Sequence, residues 1–236
     1  MLRVLQEKNQ IAASRRSLID QGRSVLESKL SGFLRKLRIR RELPVGDFVK
    51  SWDVALTLDF IEGHLAKSAQ VLDLGAYCSE VPVALARMGF TGVHGVDLNP
   101  AVADMPEAHR VNYRVGDFMQ TPFASSSFSA ITSISVIEHG YDPDRLFAEA
   151  SRLLEPGGYF IASFDYWPEK IDTGNTCFFG LSWRIFSRAD VEEMLEVAKK
   201  FGLEAAGDMH SHTKDRAIHC MGFDYTFGWL VLRKSR

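Results

Sequence analysis

Residues 71–75 read Val71-Leu72-Asp73-Leu74-Gly75, and this stretch decides the fold. A short apolar run that stops at a turn residue is a strand buried on both faces, as in a parallel sheet. It delivers an acid and then a glycine into a tight turn ahead of a helical stretch at 81–88. Glycine there lets the backbone approach a ligand and adopt φ values that other residues avoid. Outward from this point, strand and helix alternate. Strands are expected at 91–97, 111–115, 129–137 and 159–164, with two more near 203–209 and 223–232. Between them, a helix at 144–154 has Asp142 or Asp144 as its cap and Pro143 near its first turn, and Pro156-Gly157-Gly158 ends it. Ser187 caps a helix that runs to Lys200. Alternating β and α with apolar strands means an α/β fold, a parallel sheet covered on both faces.

Such sheets bind ligands beyond the carboxyl ends of their strands. The residues that follow each strand therefore matter most: 75–79, Asp97, 116–118, 133–139 and 165–167. Asp97 ends the second strand, about twenty residues past the glycine turn, where a carboxylate reaches the ribose hydroxyls of a nucleoside. Equally, Asp97 or Asn99 caps the helix that begins at Pro100. Asp117 follows the third strand and is placed to accept an adenine amine, with Phe118 as an apolar wall. Read alone, Asp117 is also an ordinary solvated loop acid.

Ahead of this region, no glycine or proline breaks residues 2–21, which read as helix. Leu26, Leu30, Phe33, Leu34 and Leu37 form an apolar stripe at helical spacing, and Arg35, Lys36, Arg38, Arg40 and Arg41 crowd its end. Pro44 and Gly46 punctuate. This gives a basic N-terminal helical extension over 1–45 and a main domain over 46–236. A further helix is expected at 48–65, with Trp52, Leu56, Phe60 and Ile61 on one face. The extension offers a surface for an anionic membrane, a partner or a second copy, although such helices more often pack on their own domain.

The 236 residues suffice for one large domain, and a net charge of −2 gives no pull towards nucleic acid or membrane. Cys78, Cys177 and Cys220 are odd in number and far apart, which argues against a disulfide framework and a cysteine-based zinc site. No apolar run of about 18 residues occurs, so no spanning helix is expected, and the N-terminus lacks a signal-peptide core. The expected location is cytoplasmic.

The series VLDLG, GVDLNP, GDF–TPF–SSSF, SISVIEH and LLEPGGYFIAS resembles, in order and spacing, the class I S-adenosylmethionine-dependent methyltransferases, and most of all their type 11 group. The resemblance covers about residues 65–165. It implies a Rossmann-like seven-stranded, mostly parallel sheet with an antiparallel last hairpin, and S-adenosylmethionine as cofactor. In that family the positions of Asp73, Gly75 and the following loop (Ala76, Tyr77, Ser79) hold the methionine end. Asp97, with Leu98 beside it, binds ribose; Asp117 and Phe118 hold adenine; Ser133 and Ile134 line the methionine side. One departure is plain. The family turn usually reads G-x-G-x-G, and here Tyr77 and Ser79 stand in the second and third glycine places.

A nicotinamide cofactor would need G-x-G-x-x-G, whose second and third places are Tyr77 and Glu80; the Glu80 carboxylate there would repel a pyrophosphate. Nucleic-acid methylation is not expected, because neither an Asn/Asp-Pro-Pro-aromatic run nor a Pro-Cys nucleophile is present. Methyl transfer needs mainly alignment, and a base only where the acceptor must lose a proton. His139, just past the fourth strand, and Asp165, at the end of the fifth, are the base candidates. The aromatic segment 165–183 supplies Tyr166, Trp167, Asn175 and Trp183 as candidate acceptor contacts, alongside Asp172, Phe178, Phe179 and Arg184. An alternative is that it forms a satellite hydrophobic cluster. His210, His212, His219 and Cys220 lack metal-site spacing, so no metal is expected. The leading expectation is O-methylation of a small-molecule or saccharide acceptor. The alternative is a non-catalytic module that binds S-adenosylmethionine or S-adenosylhomocysteine.

Overall fold

A computed structural model describes residues 1–26, 43–178 and 180–236. The architecture is α/β, with a mostly parallel central sheet flanked by helices. In chain order the elements begin with β1 (Leu2–Val4), α1 (Asn9–Asp20), α2 (Ser51–His64), β2 (Gln70–Leu74), α3 (Val81–Arg87), β3 (Gly92–Asp97) and β4 (Val111–Val115). There follow β5 (Phe128–Ile134), α4 (Pro143–Leu153), β6 (Leu154–Tyr166), β7 (Cys177–Phe178), β8 (Leu181–Ser182), α5 (Arg188–Lys200), β9 (Leu203–Ala205), β10 (Ile218–Cys220) and β11 (Phe223–Lys234). All seven strands expected from the sequence are among them. The chain divides into two compact units, Ile11–Phe118 and Met1–Gln10 with Met119–Arg236.

In the unit Ile11–Phe118, β2, β3 and β4 pair in parallel, with Asp73 opposite Gly95 and Asp97 opposite Val115. Val71, Leu72 and Leu74 of β2 are buried, each side chain contributing about 1.5–3 kcal/mol to folding. The helix expected at 48–65 forms as a short 3-10 turn, Phe48–Lys50, capped by Asp47, and then α2, which buries Trp52, Leu58, Phe60 and Ile61. Gly95 has a steric reason. A Cβ there would lie 2.7 Å from the Ala76 Cβ and 2.8 Å from the Tyr113 ring, so only glycine lets the loop after β2 settle on β3.

In the other unit β5 runs parallel to β6, with a register shift between Phe128 and Ala130. Antiparallel to β6 lies β11, paired from Thr226 opposite Tyr166 to Arg233 opposite Tyr159. β9, β10 and β1 each pair antiparallel with β11. Phe128, Phe147, Phe160, Phe164, Phe186, Phe227 and Trp229 fill the core. The capping signals read from sequence appear as bonds. The Asp142 carboxylate accepts the Arg145 amide at the start of α4, and Ser187 and Asp190 form a reciprocal capping box on α5.

Several local expectations change. Residues 2–4 are a strand, not helix: buried Leu2 and Val4 flank exposed Arg3, a period of two that pairing with β11 selects over helix. Helix begins only at Asn9. β6 starts at Leu154, so Pro156-Gly157-Gly158 lies within the strand rather than before it. β9 stops at Ala205, after which the chain bonds to β1, with the Leu2 amide donating to Asp208 O and the His210 amide to Leu2 O. The stripe from Leu30 to Leu37 and the basic run 35–41 lie outside the described residues, as does Phe179.

Candidate functional site

In the unit Ile11–Phe118, the ends of three parallel strands are tied to one another by the main chain. Gly75 adopts φ +74°, a conformation open to glycine, and this turns the loop back over β3. The Gly75 and Ala76 amides donate to Val96 O at 2.9 and 3.1 Å. The Asp97 carboxylate accepts the Tyr77 amide at 3.0 Å on one oxygen and the Asn99 amide at 2.7 Å on the other. The Gly116 amide donates to Asp97 O at 2.9 Å, which brings Asp117 to the same end of the sheet. Asp97, Asp117 and Phe118 are half-buried, whereas Asp73 is almost fully buried. Leu98 is exposed. Each carboxylate oxygen has two lone-pair directions, so Asp97 holds two loops together and keeps acceptor capacity for a ligand. The cap at Pro100 comes from Asn99, whose side chain accepts the Ala101 amide.

The two residues in glycine places behave differently. Tyr77 is half-buried and packs on a cluster of Val45, Ala76, Val83, Val102 and Met105. The neighbouring negative charge of Cys78, together with burial, raises the pKa of its phenol. Ser79 Oγ accepts the Val81 amide at 3.4 Å. Cys78, between them, takes φ +61°.

Glu80 corrects the electrostatic reading. Its side chain is buried and receives both Nη atoms of Arg15 at 2.7 and 2.8 Å, so it does not face a ligand beyond the strand ends. The case against a nicotinamide cofactor therefore rests on the missing glycines alone. Nothing in the sequence marked Arg15, one of several polar residues on α1, as the partner.

In the unit holding Met119–Arg236, main-chain pairing and aromatic side chains join the segments together. After β5, Ser135 takes φ +52° while its amide bonds Ser163 O and Oγ. Ser133 is fully buried and Ile134 half-buried. The segment 138–140 pairs with 182–184: the Arg184 amide donates to Glu138 O, the Gly140 amide to Ser182 O, and His139 bridges to Trp183. The half-buried His139 ring meets Phe178 edge-on, with centroids 5.5 Å apart. Asp165, 4% exposed, accepts the Trp183 indole N–H at 2.8 Å. Burial raises the pKa of the Tyr225 hydroxyl, and the charge of nearby Asp165 raises it further. Glu138, which the sequence did not single out, is also buried.

The four aromatic-segment candidates separate. Tyr166 is fully buried and its hydroxyl donates to Ser211 O at 2.8 Å, while Trp183 is 3% exposed. Both sit in packing positions rather than at the surface. Trp167 is buried under the Arg216 guanidinium, 4.1 Å from its ring centroid, and Asn175 is exposed in a turn. Sequence reasoning missed the β7–β8 hairpin, which puts Phe178 on His139; these two-residue strands lack any periodic signal. Among the described residues, no group of three or more His, Cys, Asp or Glu is arranged to hold a metal ion.

Residues 72–162 match the model of a methyltransferase domain. A ubiquinone biosynthesis O-methyltransferase of Xanthomonas oryzae pv. oryzae is 31% identical over 114 residues, 45% of this chain and 47% of the relative. A protein of the same description from Coxiella burnetii is 31% identical over 113 residues, 45% and 48%. The chain thus spans about half the length of the curated relatives it matches. Among solved structures, geranyl diphosphate C-methyltransferase from Streptomyces coelicolor A3(2), crystallised with S-adenosyl-L-homocysteine, superposes with a TM-score of 0.59 at 18% identity, covering 76% of this chain and 78% of that one. A SAM-dependent methyltransferase from Methanosarcina mazei gives 0.57 at 17% identity, with 75% and 97% covered. The cyclase SpnF gives 0.60 at 19% identity, with 80% and 83% covered. At these identities the structures speak to the fold. The matched segment falls on the same strands and turns that carry the motif series, so residues 72–162 are similar to a methyltransferase domain and the fold is that of the solved methyltransferases.

Proposed function

We propose that this protein binds S-adenosylmethionine at the strand ends around Asp97 and transfers its methyl group to a hydroxyl of a small-molecule or saccharide acceptor. The observation that carries the reading is the Asp97 carboxylate, which joins the loops after β2 and β3 through the Tyr77 and Asn99 amides. The residues present fit the cofactor. Gly75 takes the left-handed turn that brings the main chain close to a ligand, Asp97 retains acceptor capacity for ribose, and Asp117 and Phe118 stand at the next strand end. The cofactor supplies an activated methyl group on a sulfonium. His139 is the candidate to take the acceptor's proton; Asp165 accepts the Trp183 indole N–H, and the Trp183 main chain bridges to His139. Asp165 is in this reading a positioning residue rather than a second base. Support for a hydroxyl acceptor comes from the relatives described as O-methyltransferases, which align with 45% of the chain. Trp167 and Asn175 remain the proposed acceptor contacts. No described helix is long and apolar enough to cross a membrane, and a cytoplasmic location is part of the proposal.

Titration calorimetry with S-adenosylmethionine and S-adenosylhomocysteine tests the cofactor half. Transfer of labelled methyl to a panel of phenols, alcohols and saccharides tests the acceptor half. Binding without transfer to any of them would count against this acceptor class. A second reading, a module that binds the cofactor without transferring its methyl, is favoured by Tyr77 and Ser79 in glycine places.

A further inference from the structure

Glu80 stands at the entry of α3, at the end of the loop that begins with Gly75, yet its side chain makes no cap to that helix. It is 3% exposed. It accepts Arg15 Nη1 on Oε1 at 2.7 Å, Arg15 Nη2 on Oε2 at 2.8 Å and the Val25 amide at 2.9 Å. Arg15, 4% exposed, directs two further donors to Ser51 Oγ, at the start of α2, and to Ser24 Oγ, both at 2.9 Å. The pair is thus satisfied by groups from α1, from the residues after it and from α2. A second tether lies beside it: the Gly46 amide donates to Cys78 O at 2.9 Å. Gly46 has φ +79°, and a Cβ there would lie 2.9 Å from Glu80 Oε2, so the segment approaches the loop as closely as glycine allows.

The loop held in this way contains a conformation that its residues do not favour. Cys78 has φ +61°, a region that non-glycine residues seldom enter. A glycine-rich loop reaches such conformations unaided. Here Tyr77, Cys78 and Ser79 stand in that loop, and the restraint comes from segments remote in sequence. Stability alone does not account for a buried ion pair, because apolar residues of similar size often serve as well. Geometry does: a two-pronged Arg–carboxylate pair fixes direction as well as distance.

We propose that Arg15 and Glu80 are positioning residues that hold the 75–80 loop in its cofactor-accepting shape, so that docking of α1 sets the affinity for S-adenosylmethionine. The proposal rests on the cofactor reading above. The test is calorimetry with S-adenosylhomocysteine on the full chain and on the double variant Arg15→Met/Glu80→Met, which replaces the pair by apolar side chains. The control is Phe147→Leu, a core change in α4 that lowers the melting temperature without touching the loop. The expected result is affinity weakened by about tenfold in the double variant and unchanged in the control, with both variants folded by circular dichroism. If the double variant does not fold, Arg15→Lys takes its place. It keeps the charge but loses the fork, and intermediate weakening is then expected. Equal affinity in wild type and the folded loop variant overturns the proposal and leaves the cofactor reading standing. Failure of the wild-type chain to bind overturns the cofactor reading and the proposal with it.

Discussion

The turn after β3 and the turn after β5 each follow a parallel strand, yet aromatic side chains take part in holding only the second. At Asp97 the partners are main-chain amides of Tyr77 and Asn99, and the neighbouring loops are bonded amide to carbonyl. At His139 the main chain pairs antiparallel with Trp183, and side chains add to that pairing: the Phe178 ring meets the imidazole edge-on, and Asp165 accepts the Trp183 indole N–H. Main-chain bonds follow from the strand register, so the first arrangement tolerates change of side chain everywhere except at the acid and the glycines. The second adds ring contacts to its main-chain pairing, so it depends on Phe178 and Trp183 as well.

Four experiments press on that contrast. The largest expected effect is His139→Ala, which should lower methyl transfer to a hydroxyl acceptor by about 100-fold or more. S-adenosylhomocysteine affinity, read by calorimetry, should stay unchanged. A proportional loss of both would erase the separation between the two regions. Next, Asp97→Ala should weaken cofactor binding by about 100-fold, since it removes charged hydrogen bonds to ligand and loop together. Affinity close to wild type would remove Asp97 from the site.

Third, Trp183→Phe leaves the buried Asp165 carboxylate without its indole donor. Denaturant unfolding should show a loss of about 2 kcal/mol. Cofactor affinity should hold, because the damage is confined to the side-chain network; a parallel fall in affinity would show that the regions are coupled. The smallest effect concerns acid. Burial pushes the Glu149 and Asp190 carboxyls up, but hydrogen bonds outweigh it, from Arg152 and Thr121 to Glu149 and from Lys170 and Ser187 to Asp190, and leave both pKa values below their ordinary ones. A lowered folded pKa gives stability that is present above the ordinary carboxylate value and is lost as pH falls through the folded value. The melting temperature should therefore drop on acidification from neutral pH to about 3, and less steeply in Asp190→Asn. An identical acid profile in that variant would dismiss the capping box as a source of acid sensitivity.

How much of this was legible follows from where the information lies. The strand at 70–75 announces itself because burial on both faces demands a nearly continuous apolar run. Gly75 was readable because a left-handed turn has few other occupants. Asp97 was readable by its distance from that turn, a distance set by one strand–helix–strand unit. β1 was misread because three residues carry too little period to outweigh an unbroken helical stretch, and pairing with β11 decided it. Glu80 was misread in direction: its place in the loop was correct, but a side chain with two faces available turned inward to Arg15.

By itself, then, the sequence determined the alternation of strand and helix, the glycine turn after β2 and the acids at the strand ends, because local periodicity and main-chain geometry dictate all of them. Only the tertiary structure decided that Tyr166 and Trp183 are buried in packing positions, that the Phe178 ring meets His139, and that Arg15 anchors the 75–80 loop. Each of these depends on which remote segment satisfies a buried ring or charge, and no spacing along the chain records that choice.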